Sequence, residues 1–141
     1  MTTDTISQTR SASRASGRLT GSAGWAILSI AVLHTAVFIP QASWSDWFDG
    51  SLRAFQGDPD SLAVFWALPG GFVLPGAMLG LFLIRMGRQR MRVGLGYALT
   101  LAVWASFCLW LVGPSGFMLF YVPAGLLLAA SIVNGRTPGR G

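Results

Sequence analysis

The stretch FWALPGGFVLPGAMLGLFL, Phe65 to Leu83, carries no charged residue yet holds two prolines, Pro69 and Pro75. Extended to Leu62 and Ile84 it is about 35 Å long as a helix, at ~1.5 Å per residue. That length crosses a hydrocarbon core of about 30 Å. Each proline removes a backbone donor, so a helix here must kink or open locally. At membrane depth the freed carbonyls must be satisfied by neighbouring helices, Ser or Thr side chains, or water.

Three further apolar runs flank it, and none of the four contains Asp, Glu, Arg or Lys. The helices are expected at about residues 23–39, 62–84, 93–112 and 117–133. They are apolar on all sides and contain glycines, which disfavours the alternating faces of a β-barrel. The fold expected is all-α, a four-helix transmembrane bundle. Residues 1–22 are rich in Ser, Thr and Arg with no apolar period and read as a disordered tail. Residues 134–141 read as a second disordered tail. Arg18 before an apolar run is signal-like, but IPQAS offers no convincing cleavage site, so the first run is expected to remain as an anchor.

The composition agrees: the 141 residues are 52% hydrophobic and 11% charged, against about a quarter charged for a soluble domain. The net charge of +5 comes from ten Arg against five Asp. Arg10, Arg14 and Arg18 precede the first run. Arg85, Arg88, Arg90 and Arg92 lie between the second and third, and Arg136 and Arg140 follow the fourth. By the positive-inside rule that side is the cytoplasm, with both termini on it, in the inner (plasma) membrane. Short arginine clusters between apolar runs fit anionic lipid headgroups rather than a folded nucleic-acid surface, so the bilayer is the expected partner and nucleic acid is not.

The first outer loop contains SWSDWFDGSLRAF, Ser43 to Phe55, whose Trp44, Trp47, Phe48, Leu52 and Phe55 repeat at helical intervals. It reads as a short amphipathic helix, weakened by Gly50. Trp44, Trp47 and Phe48 are the expected interfacial anchors, or a lid over an outward pocket. Gly76 and Gly80 have GxxxG spacing, and with Gly125 they are expected to pack helices closely.

His34, the single histidine, lies in the outer half of the first run. An unpaired imidazole in hydrocarbon costs several kcal/mol, so a partner is required. The candidates for a pocket or polar contact are Trp66, Ser106, Tyr121 and a carbonyl released by a proline. The ring is either a packed polar group or a functional one. Metal ligation lacks further ligands, and one histidine cannot supply bis-histidine haem ligation. No cofactor and no catalytic residues are assigned. Cys108, the only cysteine, has apolar neighbours and reads as an inert packing residue.

The stretches GWAILSIAVLHTAVFI, FWALPGGFVLPGAMLGLFL and PSGFMLFYVPAGLLL resemble an uncharacterised bacterial family of small four-span integral membrane proteins, over roughly Ala23 to Ala130. The resemblance implies architecture and location but no activity. Small multidrug-resistance transporters share the outline but rely on a glutamate in helix one, where this chain has no acid. The leading functional expectation is a non-enzymatic accessory or interaction subunit, partnered by a second copy or another membrane protein. The alternative is a small-molecule binder or carrier with an outer-half pocket around His34. A haem- or quinone-associated redox subunit is the third.

Overall fold

The computed structural model describes residues 3–51 and 58–135 and is helical, with no strand among them. The order is α1 (Thr3–Phe38), a 3-10 turn (Ile39–Gln41), α2 (Trp44–Asp49) and α3 (Pro59–Phe65). A π-turn (Trp66–Gly70), α4 (Val73–Arg88), α5 (Leu95–Val112), a second 3-10 turn (Gly116–Phe120) and α6 (Tyr121–Gly135) complete it. Four segments are long and apolar enough to cross a membrane: Ser7–Gln41, Pro59–Arg88, Leu95–Val112 and Gly116–Gly135. Large apolar side chains point outward all round the bundle, among them Trp110, Val32 and Leu81. Such a surface suits lipid and not water.

The bundle is built around α1, which packs against α4 on one flank and α6 on the other, while α5 leans chiefly on α6. The buried positions of α1 are Ser16, Gly17, Thr20, Ala23, Gly24, Ile27 and Ala31. They recur every three or four residues and form one helical stripe. Nearly all are small, because lipid supplies no hydrophobic push between helices and association relies on close van der Waals contact.

The α1–α4 seam is tightest at two pairs of glycines. A methyl carbon on Gly24 would lie 2.5 Å from the Gly80 carbonyl oxygen, and one on Gly17 would lie 2.6 Å from the Gly87 oxygen. Gly24 faces Gly80 and Gly17 faces Gly87, as an antiparallel pair requires. Within each helix the two glycines are seven residues apart, close to two turns. A seven-residue repeat keeps one stripe facing its partner when helices cross at about +20°.

The disordered tail expected over residues 1–22 is not what the structure has: α1 begins at Thr3 and runs unbroken into the first span. Low helix propensity is overridden by tertiary packing. Ser16 is buried and its Oγ–H donates to the Ala130 carbonyl on α6 at 3.3 Å. Thr20, fully buried, donates back to the Ser16 carbonyl at 3.0 Å. Residues 136–141 of the expected second tail lie outside the described residues.

The second span is broken at Pro69, whereas Pro75 sits in the first turn of the regular helix α4, where a missing backbone donor is tolerated. Leu68, before Pro69, has non-helical angles (φ −99°, ψ −106°) inside the π-turn, and a regular helix resumes only at Val73. At its other end α4 continues to Arg88, so Arg85 and Arg88 are helical rather than part of a loop. The helix then closes with Met91 N–H bonded to the Met86 carbonyl and Arg90 N–H to that of Gly87. This cap needs a left-handed residue, usually glycine, and here it is Arg90 with φ 53°.

Candidate functional site

At the end of the bundle opposite the arginines, α1, the start of α4 and the α5–α6 turn enclose a cavity of about 430 Å³. Its wall is mostly aliphatic and aromatic, and its polar side chains are His34 and Ser115. This volume falls in the range of small-molecule pockets, which pair an apolar lining with a few polar groups.

His34 is placed by α1 and held by the broken second span. Its Nε2 lies 3.1 Å from the Ala67 carbonyl oxygen, within the π-turn. A carbonyl only accepts, so Nε2 carries the proton and donates. In the neutral ring Nδ1 is then an acceptor. The ring lies between Phe38 and Phe72, with both ring centroids 4.5 Å away. Phe72 in turn meets Phe120 edge-on at 5.7 Å. The aromatic clamp fixes the imidazole plane while leaving one edge of the ring along the cavity.

Ser115 sits in the turn after α5. Its Oγ is buried and has no hydrogen-bond partner. Ser115 is extended (φ −154°, ψ −177°), and its side chain does not cap the following 3-10 turn. A hydroxyl removed from water without a partner is costly, and this one lies buried within the wall to which His34 also belongs.

Of His34, Trp66, Ser106 and Tyr121, the candidates for a pocket or polar contact, only His34 lines this cavity, and of its possible partners it meets a carbonyl, that of Ala67. Ser106 and Tyr121 satisfy each other, Oγ to OH at 2.7 Å, outside the cavity. Trp66 is 57% exposed and packs beside Phe65. Depth along the membrane was the basis for grouping these side chains, and depth says nothing about which face of a helix they occupy. The PSGF turn was visible in the sequence as a distinctive motif, but a turn serine gives no sign that its hydroxyl will be buried.

Among the expected packing glycines, Gly80 lies in the α1–α4 seam, whereas added methyl carbons at Gly76 and Gly125 would meet nothing within 4 Å. Among the described residues, neither glycine faces a partner helix at that distance. The seam instead uses Gly17, Gly24 and Gly87, of which the first lay in the supposed tail.

The aromatic anchors also divide. Trp44 and Phe48 are exposed, Phe48 at 81%, as an interfacial belt requires. Trp47 turns inward, donating from Nε1 to Ser61 Oγ at 3.1 Å and meeting Phe65 edge-on at 5.8 Å. The helix ends at Asp49, because Gly50 adopts a left-handed cap (φ 94°) rather than carrying the helix on. Leu52, Arg53 and Phe55 of the expected longer helix lie outside the described residues. Comparison with family models, with curated proteins and with solved structures returns no match.

Proposed function

We propose that this chain is a non-enzymatic, multi-pass protein of the plasma membrane that binds a small, largely apolar molecule bearing a hydroxyl or similar polar head. The carrying observation is an otherwise apolar cavity whose wall includes His34 and Ser115, the latter with a buried, unpartnered Oγ. The imidazole acceptor can take a hydrogen bond from such a head, and a rotation of the Ser115 side chain would let its hydroxyl give one. The surrounding rings supply apolar contact.

Organic extraction of the purified protein, followed by mass spectrometry, tests the reading. Wild type and Ser106→Ala should retain the same small molecule, whereas His34→Leu and Ser115→Ala should lose it with helicity intact. Equal retention by all four proteins, or retention by none, counts against it. The arginine distribution supports placing both termini in the cytoplasm, and reporter fusions at either end check that.

A second reading, an interaction subunit, is favoured by Gly76 and Gly125, where among the described residues nothing lies within 4 Å of an added methyl carbon. Small residues facing outward allow another helix to approach closely. Under this reading Gly125→Leu disrupts a complex while leaving the isolated protein folded.

A further inference from the structure

At the arginine end, α1 and the last turns of α4 border an open groove of about 640 Å³, lined by Arg14, Arg18, Arg88 and Arg90 with Trp25 and Ile84. No acid lines it. The remaining described acids in the connections, Asp46, Asp49, Asp58 and Asp60, lie at the opposite end of the bundle. We propose that this groove is a binding site for a phosphate-bearing anion at the membrane surface.

The four guanidinium groups come from three structural origins that converge on one place. Arg14 and Arg18 stand one turn apart on α1, on the same face as Gly21, Ser22 and Trp25. Arg88 closes α4. Arg90 follows in the left-handed cap, a conformation that a side-chain-bearing residue adopts at a cost and glycine adopts freely. Its side chain is laid over α1, with Cγ 3.5 Å from the site of a methyl carbon on Gly17. Gly17 and Gly87 let the helices approach closely enough for the two arginine pairs to share a groove.

The chemistry selects phosphate among anions. Arginine presents planar, paired donors that match phosphate oxygens bidentately. Four of them on one concavity suit a group bearing more than one negative charge. The groove also has a polar-to-apolar axis. Trp25 lies seven residues beyond Arg18, about 10 Å along the helix, and is 59% exposed. A headgroup phosphate on the arginines therefore leaves its acyl chains running past Trp25 and Ile84 toward the apolar surface. Phosphate reaches such a site either on a lipid headgroup or free in solution, and the test separates the two.

The wild-type chain is placed in nanodiscs of phosphatidylcholine with a minor fraction of phosphatidic acid, and retained lipid is counted by native mass spectrometry. Wild type should retain phosphatidic acid preferentially. Arg18→Gln with Arg88→Gln should lose that preference about tenfold. Arg85→Gln with Arg92→Gln removes the same net charge from outside the groove and should change it less than about twofold. All four substituted positions are exposed, so each protein should fold, and circular dichroism checks that. Added pyrophosphate that displaces the lipid with the same arginine dependence assigns the site to free phosphate as well, whereas failure to displace assigns it to the headgroup. Equal losses from both double variants would reduce the effect to diffuse attraction and overturn the proposal. So would a wild type that retains neither probe.

Discussion

Replacing Gly24 with alanine tests whether the glycine seam holds the bundle together. The added methyl carbon would sit 2.5 Å from the Gly80 oxygen and 2.8 Å from both the nitrogen and Cγ1 of Ile84. Two of these three atoms are backbone and cannot swing aside. Ordinary contact begins at 3.4 Å, so α1 and α4 must part by about 0.9 Å at this level. A gap of ~0.5–1 Å forfeits a quarter to a half of each van der Waals well along the interface, where Ile27 and Leu83 are also buried. Overpacking of this kind costs about 1–3 kcal/mol. Alanine also favours a helix interior by up to ~1 kcal/mol over glycine, which offsets part of the loss. Gly125→Ala receives the same backbone gain with no steric penalty, since its surroundings are open. The difference between the two variants isolates the steric contribution, expected at about 1–3 kcal/mol. Reversible unfolding in mixed micelles, monitored by circular dichroism, measures both. Equal stability of Gly24→Ala and Gly125→Ala would refute the seam as the source of cohesion.

Other perturbations bear on the two ends of the molecule. Arg90→Gly relieves the left-handed cap and should stabilise the protein by about 1 kcal/mol in the same unfolding assay, while weakening phosphatidic acid retention. His34→Leu strands the Ala67 carbonyl and should cost about 1–3 kcal/mol, with His34→Gln recovering part of it. Ser61→Ala removes the Oγ acceptor of Trp47 Nε1–H and should cost roughly 0.5–1.5 kcal/mol, with greater mobility of the Trp47 ring by fluorescence anisotropy. Ser51 donates from Oγ and from its backbone N–H to Asp49 Oδ1, at 2.6 and 2.8 Å, and holds that carboxyl below its ordinary range. The contact is therefore complete above the ordinary carboxylate range and is lost as pH falls through the depressed value. In Ser51→Ala the acid transition of the neighbouring tryptophan fluorescence should move to higher pH.

The spans were legible because hydrocarbon permits so few solutions: uncharged runs of sufficient length must be helices. The break in the second span was legible from Pro69, though Pro75 proves to be accommodated in the first turn of α4, and His34 does find a carbonyl at the break, that of Ala67. Helicity of the first residues was hidden, since SASRASGRLTGS has poor intrinsic propensity. Its order comes from Ser16 and Gly17 meeting helices more than sixty residues away in sequence. The candidate site was half legible. An ionisable residue in an apolar run marks itself, whereas Ser115 becomes notable only through a turn geometry that no periodicity encodes. Ser106 and Tyr121 bond each other rather than His34, because depth along a helix does not fix rotation about it. The arginine groove was hidden for a related reason. Its arginines read as headgroup contacts, and their convergence depends on glycines in both helices.

The central place of α1 also sets an order of assembly. As the chain leaves the ribosome, α1 and the second span emerge in succession, and their glycine seam needs nothing that is still untranslated. The third span arrives to find its principal neighbour, α6, not yet made. It must wait in the bilayer until the last helix inserts between it and α1. A nascent chain halted after Arg92 should therefore already hold a paired hairpin, detectable as a crosslink from a photoreactive leucine at Leu28 into α4 around Gly80, whereas stalling after Val112 should add no further crosslink.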